Sequence, residues 1–226
     1  MNDASGMGRR NTEAEAILRA ARILPIVTAD SVDEALAVAR ALLDGGLPAI
    51  ELTLRTPAAL PALAALKREL PGVSVGAGTV LDARQLAEAQ AAGADFIVTP
   101  GTTPALRAAL VDCPLPVVAG VATPSEALVL RELGFRVAKL FPAAAVGGLA
   151  MLRAMQGPLP DMRFCPTGGI GEQDAADYLA LPNVACQGGS WMVPKAWLQA
   201  GDWTRVRESA ARARAIIDRA DGALRT

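Results

Sequence analysis

The sequence predicts an α/β chain folded as a closed (β/α)8 barrel with a short N-terminal helix. Three observations carry that expectation. Eight short apolar runs rich in β-branched residues recur at intervals of roughly 20 to 27 residues, the spacing of strand–helix units joined by short loops. Alanine-rich segments of helical period fill the gaps between them. No strand-to-helix turn carries the G-x-G-x-x-G pattern of an open, doubly wound dinucleotide-binding sheet; "GAGTVL" in the third unit has two of the glycines and lacks the third. Eight consecutive units within 226 residues are what a closed barrel needs.

The elements follow in order. "MNDASGMGRRNTEAEA" has two arginines but no apolar stretch behind them, so it reads as no signal peptide, and residues 1–12 as a frayed lead-in to the first helix. The first strand, "ILPIVTA" (23–29), leads to "SVDEALAVARALLDGG", which opens on a serine N-cap and closes on glycines. "AIELTLR" (49–55) precedes "TPAALPALAALKREL", and "VSVGAGTV" (73–80) precedes "LDARQLAEAQAAG". "FIVTPG" (96–101) and "PVVAGVA" (116–122) are followed by "TPALRAALVD" and "TPSEALVLRELG"; proline falls in the first turn of "TPAALPALAALKREL" and "TPSEALVLRELG", as helix starts prefer. "RVAKLFPA" (136–143), "RFCPTGG" (163–169) and "VACQGGS" (184–190) complete the strands. Their helices are "GGLAMLRAMQG", "EQDAADYLAL" and the arginine-rich "DWTRVRESAARARAIIDRA", whose charges suit a solvated outer face. No Ser- or Pro-rich linker divides the chain, so 1–226 reads as one barrel domain.

Composition narrows the chemistry. The chain is 52% hydrophobic and 20% charged, enough apolar material for a sizeable core. A net charge of −1 leaves no electrostatic footprint for nucleic acid or an anionic membrane, and no apolar run is long enough to span a bilayer. The three cysteines, Cys113, Cys165 and Cys186, are odd in number and far apart, which suits reduced thiols and a cytoplasmic setting; Cys165 reads as a small core residue. There is no histidine, so the commonest metal ligand and the commonest general base are both missing, and zinc hydrolases and Ser-His or Cys-His nucleophiles are excluded. No metal site or cofactor is expected. Catalysis, if present, runs on lysine, carboxylate, hydroxyl or backbone groups.

Lysine is scarce: of 22 basic residues only Lys67, Lys139 and Lys195 are lysines. Lys67 sits among the charges of "LKREL" and Lys195 follows Pro194 in "MVPKAW", both read as surface positions. Lys139 is flanked by Val137, Ala138, Leu140 and Phe141 in a strand that a barrel covers on both sides. The bland alternative is a stem lying on apolar surface with its amine in water. Burial of an unpaired ammonium would instead drive it towards the neutral amine, a nucleophile for carbonyl carbon and the basis of Schiff-base catalysis. Alternation places Val137, Lys139 and Phe141 on one strand face, and Glu51, Thr53 and Arg55 on one face of the second strand. If both faces point inward, an acid, a base and a fixed cation meet. Glu51 and Arg55 could equally be a structural pair, though apolar packing would serve stability as well. At the strand's C-terminal end, the planar fork of Arg55 suits a carboxylate.

Glycine pairs end the seventh and eighth strands, in "PTGGIG" (166–171) and "QGGSW" (187–191). They read either as tight turns or as the phosphate-binding loops that barrels place after these two strands. No lysine or arginine adjoins them in sequence, so backbone dipoles would do the holding. Trp191, Trp197 and Trp203 are too far apart for one helical stripe and read as packing around the last loop and helix.

Taken together, "ELTLRT", "GAGTVL", "TPG", "AKLFPA", "RFCPTGGI" and "GGSW" occur in the order and spacing of the class I 2-keto-3-deoxy-6-phosphogluconate (KDPG) and 4-hydroxy-2-oxoglutarate (KHG) aldolases, which the chain resembles from about residue 16 to 205. The resemblance implies a (β/α)8 barrel assembled as a homotrimer. It implies that Lys139 forms the Schiff base and Glu51 moves protons. It further implies that Arg55 and Thr79 hold the keto-acid carboxylate, that Thr167 helps set stereochemistry at C4, and that Gly168, Gly169, Gly189 and Ser190 take the phosphate of a small 2-keto acid. One departure is visible: where family members often read "FFPAEANGG", this chain reads "LFPAAAVGG", with Ala144 and Val146 at polar positions. Rival readings are the same chemistry on 4-hydroxy-2-oxoglutarate or on the galactonate epimer, a non-catalytic phosphosugar-binding barrel, and a phosphate-binding isomerase or synthase.

Overall fold

A computed structural model describes residues 4–223. The elements run α1 (Ala4–Ala21), β1 (Ile23–Val27), α2 (Val32–Asp44), β2 (Ala49–Thr53), α3 (Ala59–Glu69), β3 (Ser74–Gly78), α4 (Ala83–Ala91), β4 (Phe96–Val98), α5 (Pro104–Asp112) and β5 (Val117–Val121). They continue α6 (Pro124–Glu132), β6 (Val137–Leu140), α7 (Gly148–Gln156), β7 (Arg163–Pro166), α8 (Ala175–Leu179), β8 (Gln187–Gly189), α9 (Lys195–Gln199) and α10 (Trp203–Ala223). All eight strands are parallel neighbours in the order β7-β6-β5-β4-β3-β2-β1-β8. Two isolated bridges, Phe164 with Val184 and Thr167 with Gly188, join β7 to the β8 region and close the cylinder. The expected barrel is the observed one.

Strand alternation sorts the core into two layers. Inward-facing Leu24, Ala49, Phe96, Val98, Val118, Val137, Cys165 and Cys186 fill the lower barrel. Outward-facing Ile50, Leu52, Ala138 and Leu140 join the helices in the larger outer cluster. Each face therefore has its own apolar partner, as a parallel sheet buried on both sides requires. The three tryptophans lie partly buried against the outer cluster.

Local chemistry fixes the helix ends. Side chains of Ser31, Asp82, Thr103 and Thr123 accept hydrogen bonds from backbone amides in the first turns of α2, α4, α5 and α6, and Thr123 with Glu126 makes a full capping box. Pro124 occupies the first turn of α6 as expected, and Pro104 does the same in α5; in α3 the expected first-turn proline is Pro61, while Pro57 precedes the helix. At the opposite ends, Gly46, Gly93 and Gly134 adopt φ of 90°, 89° and 96°, which stops α2, α4 and α6.

The N-terminus corrects the sequence reading. Residues 4–12 are not a frayed lead-in but the first half of α1, which is 18 residues long; residues 1–3 lie outside the described region. Ala14, Leu18 and Ala21 are buried in the inner cluster, so α1 plugs the bottom of the barrel. The Arg10 guanidinium donates to the carbonyls of Val111 and Cys113, and Asn11 donates to the Gly134 carbonyl while accepting from the Arg136 amide. These polar anchors hold a half-helix that has no apolar stripe to announce it. The strands β4 and β8 are also shorter than expected; only Gln187–Gly189 forms regular ladder within 184–190.

Candidate active site

Lys139 and Glu51 meet inside the barrel. The Lys139 ammonium nitrogen lies 2.9 Å from one Glu51 carboxylate oxygen and 3.1 Å from the other, with the two side chains 6% and 2% exposed. The pair is possible because β2 and β6 both present odd-numbered residues inward, as the alternation predicts. One element of the sequence reading changes: the ammonium is not unpaired, since Glu51 neutralises it with both oxygens. An ion pair this deep costs desolvation that apolar packing would avoid, so its position needs a reason beyond stability.

Glycines make the space. A Cβ on Gly78, at the end of β3, would lie 2.4 Å from Glu51 Cγ and Oε1; glycine there gives the carboxylate its seat. A Cβ on Gly188 would sit 2.3 Å from the Thr167 hydroxyl, and one on Gly120 would strike the backbone of Pro100 and Gly101. The three positions are held open by absence of a side chain, and no pattern in the sequence marks which glycines do this.

Above the pair, a cavity of about 360 Å³ opens at the C-terminal ends of the strands. Lys139, Phe141, Arg55, Thr167, Gly168, Gly169, Gly189 and Ser190 all line it. The amine lies 5.4 Å from the centroid of the Phe141 ring, which closes one side. Arg55, just beyond β2 and exposed, donates from Nε to the Thr79 hydroxyl at 3.1 Å. Thr79 holds φ of 59°, a left-handed conformation that a β-branched residue rarely takes and that tends to occur at functional positions. Glu51 and Thr79 stand behind the lining, reached through Lys139 and Arg55. Gly168 and Gly169 adopt φ of 97° and 74°. The carbonyls of Thr167 and Gly168 accept from the amides of Ala143 and Ala144, so this loop is tied to the turn after β6. Ala144 itself is exposed, and its Cβ would meet a Cβ on Gly169 at 2.6 Å.

The cavity also holds residues that the sequence reading passed over. Ile26, Thr28, Asp30 and Glu34 line it from the β1–α2 side, and Lys195 lines it from the start of α9. Lys195 is exposed, as a surface lysine should be, and it also shares the cavity of the glycine loops. The signal for it was its distance of five residues from Ser190, which only a tight turn converts into proximity. A second, larger depression of about 1200 Å³ lies at the bottom, between α1 and residues such as Asp112, Glu132 and Asp161. Size does not decide between them: in (β/α)8 enzymes chemistry sits at the C-terminal face, and the bottom depression lacks a buried reactive pair.

Two thiols lie just beneath. Cys165 pairs in register with Lys139 across β6 and β7. The neighbouring Cys186 thiol, aided by the charge of Lys139, holds the Cys165 thiol below the ordinary thiol range against the opposing effect of burial. Burial pushes Cys186 well above it. Among the described residues no cluster of three or more His, Cys, Asp or Glu side chains is placed to hold a metal ion, and no helix is long and apolar enough to cross a membrane.

Fold and site together define a barrel of the lysine-dependent class of aldolases, which work through an imine on a buried lysine. The family model for KDPG and KHG aldolase matches residues 14–209. The chain is 48% identical over 198 residues to 2-dehydro-3-deoxy-phosphogluconate aldolase of Pseudomonas aeruginosa, covering 88% of this chain and 90% of that one. It is 43% identical over 202 residues to the KHG/KDPG aldolase of Escherichia coli K12, covering 89% and 95%. Its fold superposes with a TM-score of 0.85 on the crystal structure of KDPG aldolase from Legionella pneumophila, 40% identical and covering 88% and 96%, in which pyruvate was captured as a covalent carbinolamine intermediate. The chain belongs to the KDPG and KHG aldolase family.

Proposed function

We propose that the chain cleaves 2-keto-3-deoxy-6-phosphogluconate to pyruvate and glyceraldehyde 3-phosphate through an imine on Lys139. The observation that carries this reading is the buried Lys139–Glu51 pair beneath a cavity at the C-terminal mouth of the barrel. Addition to the C2 carbonyl needs the free amine, and Glu51, in hydrogen-bond contact through both oxygens, takes its proton. Returning that proton to the carbinolamine oxygen lets water leave and forms the iminium. Glu51 then removes the proton of the C4 hydroxyl; the C3–C4 bond breaks, and its electron pair flows into the iminium to give an enamine. Glyceraldehyde 3-phosphate departs. Protonation of the enamine at C3 by Glu51, followed by hydrolysis, releases pyruvate and restores the lysine.

Arg55, fixed by its bond to Thr79, takes the carboxylate beside the reacting carbonyl. Thr167, two residues beyond Cys165 and on the cavity wall, offers a hydroxyl to the C4 oxygen and favours the gluconate over the galactonate epimer. The backbone N–H groups around Gly168, Gly169 and Gly189, with the Ser190 hydroxyl, receive the phosphate. The same lysine and carboxylate site serve 4-hydroxy-2-oxoglutarate, whose pyruvate half is identical, and a relative's name joins the two substrates. We also propose that the chain works as a homotrimer, as the family resemblance implies, and light scattering on purified protein would give three chain masses if so and one if not.

The test is turnover. Purified protein should release pyruvate from the phosphorylated substrate, and Lys139→Ala should lose that release while keeping its far-UV spectrum. Retained release in the folded variant would overturn the assignment.

A further inference from the structure

The phosphate end of the cavity has a cation that the sequence order conceals. After Ser190 the chain turns back: the Val193 amide donates to the Ser190 carbonyl at 3.1 Å, and Val193 and Leu198, each 6% exposed, anchor the segment from both sides of Lys195. Pro194 fixes the backbone entering α9. Lys195 is thus presented from a braced backbone onto the same cavity wall as Gly168, Gly169, Gly189 and Ser190. Among the described residues its ammonium has neither an ion pair nor a hydrogen bond.

The charges around the mouth explain why this matters. Lys139 is neutralised by Glu51, which leaves Arg55 and Lys195 facing Asp30 and Glu34. Two cations then balance two acids. Without Lys195 the acids would outnumber the cations on a rim that must admit a substrate bearing a carboxylate and a phosphate. Glu34 accepts from the Asp30 amide at 2.7 Å, so this acid is held on its own loop. Arg55 is bonded to Thr79 on β3's side of the cavity, away from the glycine loops. Lys195 is the cation on the glycine side.

We propose that Lys195 is a specificity-determining residue that contacts the terminal phosphate of the substrate and selects phosphorylated over unphosphorylated 2-keto acids. This rests on the aldolase reading above and extends it: the glycine loops supply oriented N–H groups, and Lys195 supplies the charge they lack. A lysine in contact with a phosphate dianion at a partly solvated rim changes affinity by about tenfold.

The experiment measures kcat and KM for 2-keto-3-deoxy-6-phosphogluconate and for 4-hydroxy-2-oxoglutarate with the unsubstituted protein, Lys195→Ala and Lys195→Arg. The expected result is a fall of about tenfold in the ratio of kcat/KM for the phosphorylated over the unphosphorylated substrate in Lys195→Ala, carried by KM, with most of it restored by Lys195→Arg. Inorganic phosphate should inhibit the unsubstituted protein competitively and the alanine variant about tenfold more weakly. A ratio unchanged in Lys195→Ala, or an equal loss on both substrates, would overturn the proposal while leaving the aldolase reading intact. Failure of the unsubstituted protein to cleave either substrate would overturn the aldolase reading itself, and the Lys195 proposal with it.

Discussion

Replacing Gly78 by alanine perturbs one contact and little else. The residue's φ lies outside the left-handed region, so alanine fits the backbone without strain. Its Cβ would stand 2.4 Å from Glu51 Cγ and Oε1 and 2.8 Å from Cδ, whereas ordinary contact begins at 3.4 Å. Glu51 must withdraw by about 1 Å, and the hydrogen bonds of 2.9 and 3.1 Å to Lys139 stretch with it. A misplacement of that size at reacting groups costs about 10²-fold in rate, while crowding in a packed core destabilises by about 1–3 kcal/mol. Gly78→Ala should therefore fold, with a lowered Tm, and show kcat for pyruvate release down by about 10²-fold and KM much less altered. Gly72→Ala is the control, since nothing lies within 4 Å of its Cβ position. A folded Gly78→Ala protein with kcat within about threefold of the parent would refute the idea that Glu51 must be held where β3 leaves room for it.

Other perturbations separate stability from function. Thr79→Gly relieves a left-handed conformation costing about 1–2 kcal/mol but removes the partner of Arg55; Tm should hold or rise while KM for the keto acid increases about tenfold. Leu18→Ala empties part of the plug beneath the barrel and should cost about 2–5 kcal/mol in chemical denaturation with kcat unchanged, because Leu18 lies in the lower layer. Asp161 is held below the usual carboxylate value of 3.8, chiefly by its hydrogen bond from Arg131. A depressed carboxylate contributes stability above its unfolded pKa and loses that contribution as pH falls through the folded value. Asp161→Asn should accordingly lower Tm slightly at neutral pH and leave it unchanged at strongly acidic pH; the effect stays small because the pair is exposed.

What could be read from the chain, and what could not, has a physical pattern. Lys139 was visible because a cation in an apolar strand violates the local environment, and alternation alone aimed it at Glu51. Helix starts at Ser31, Asp82, Thr103 and Thr123 were legible because capping is a local interaction of a few residues. The first half of α1 was not: it is held by Arg10 and Asn11 bonding to carbonyls more than a hundred residues away. The same holds for Lys195, whose place depends on the turn from Ser190 to Val193. The steric roles of Gly78 and Gly188 were hidden because each is defined by a side chain on another strand, Glu51 or Thr167.

Borohydride reduction in the presence of pyruvate, followed by peptide mass mapping, addresses the nucleophile directly. If the Lys139 amine captures the keto group, the peptide spanning residues 137–141 gains one 1-carboxyethyl group, and activity falls in step with labelling. Label on Lys67 or Lys195 instead, or no label on a protein that still turns over substrate, would contradict the assignment.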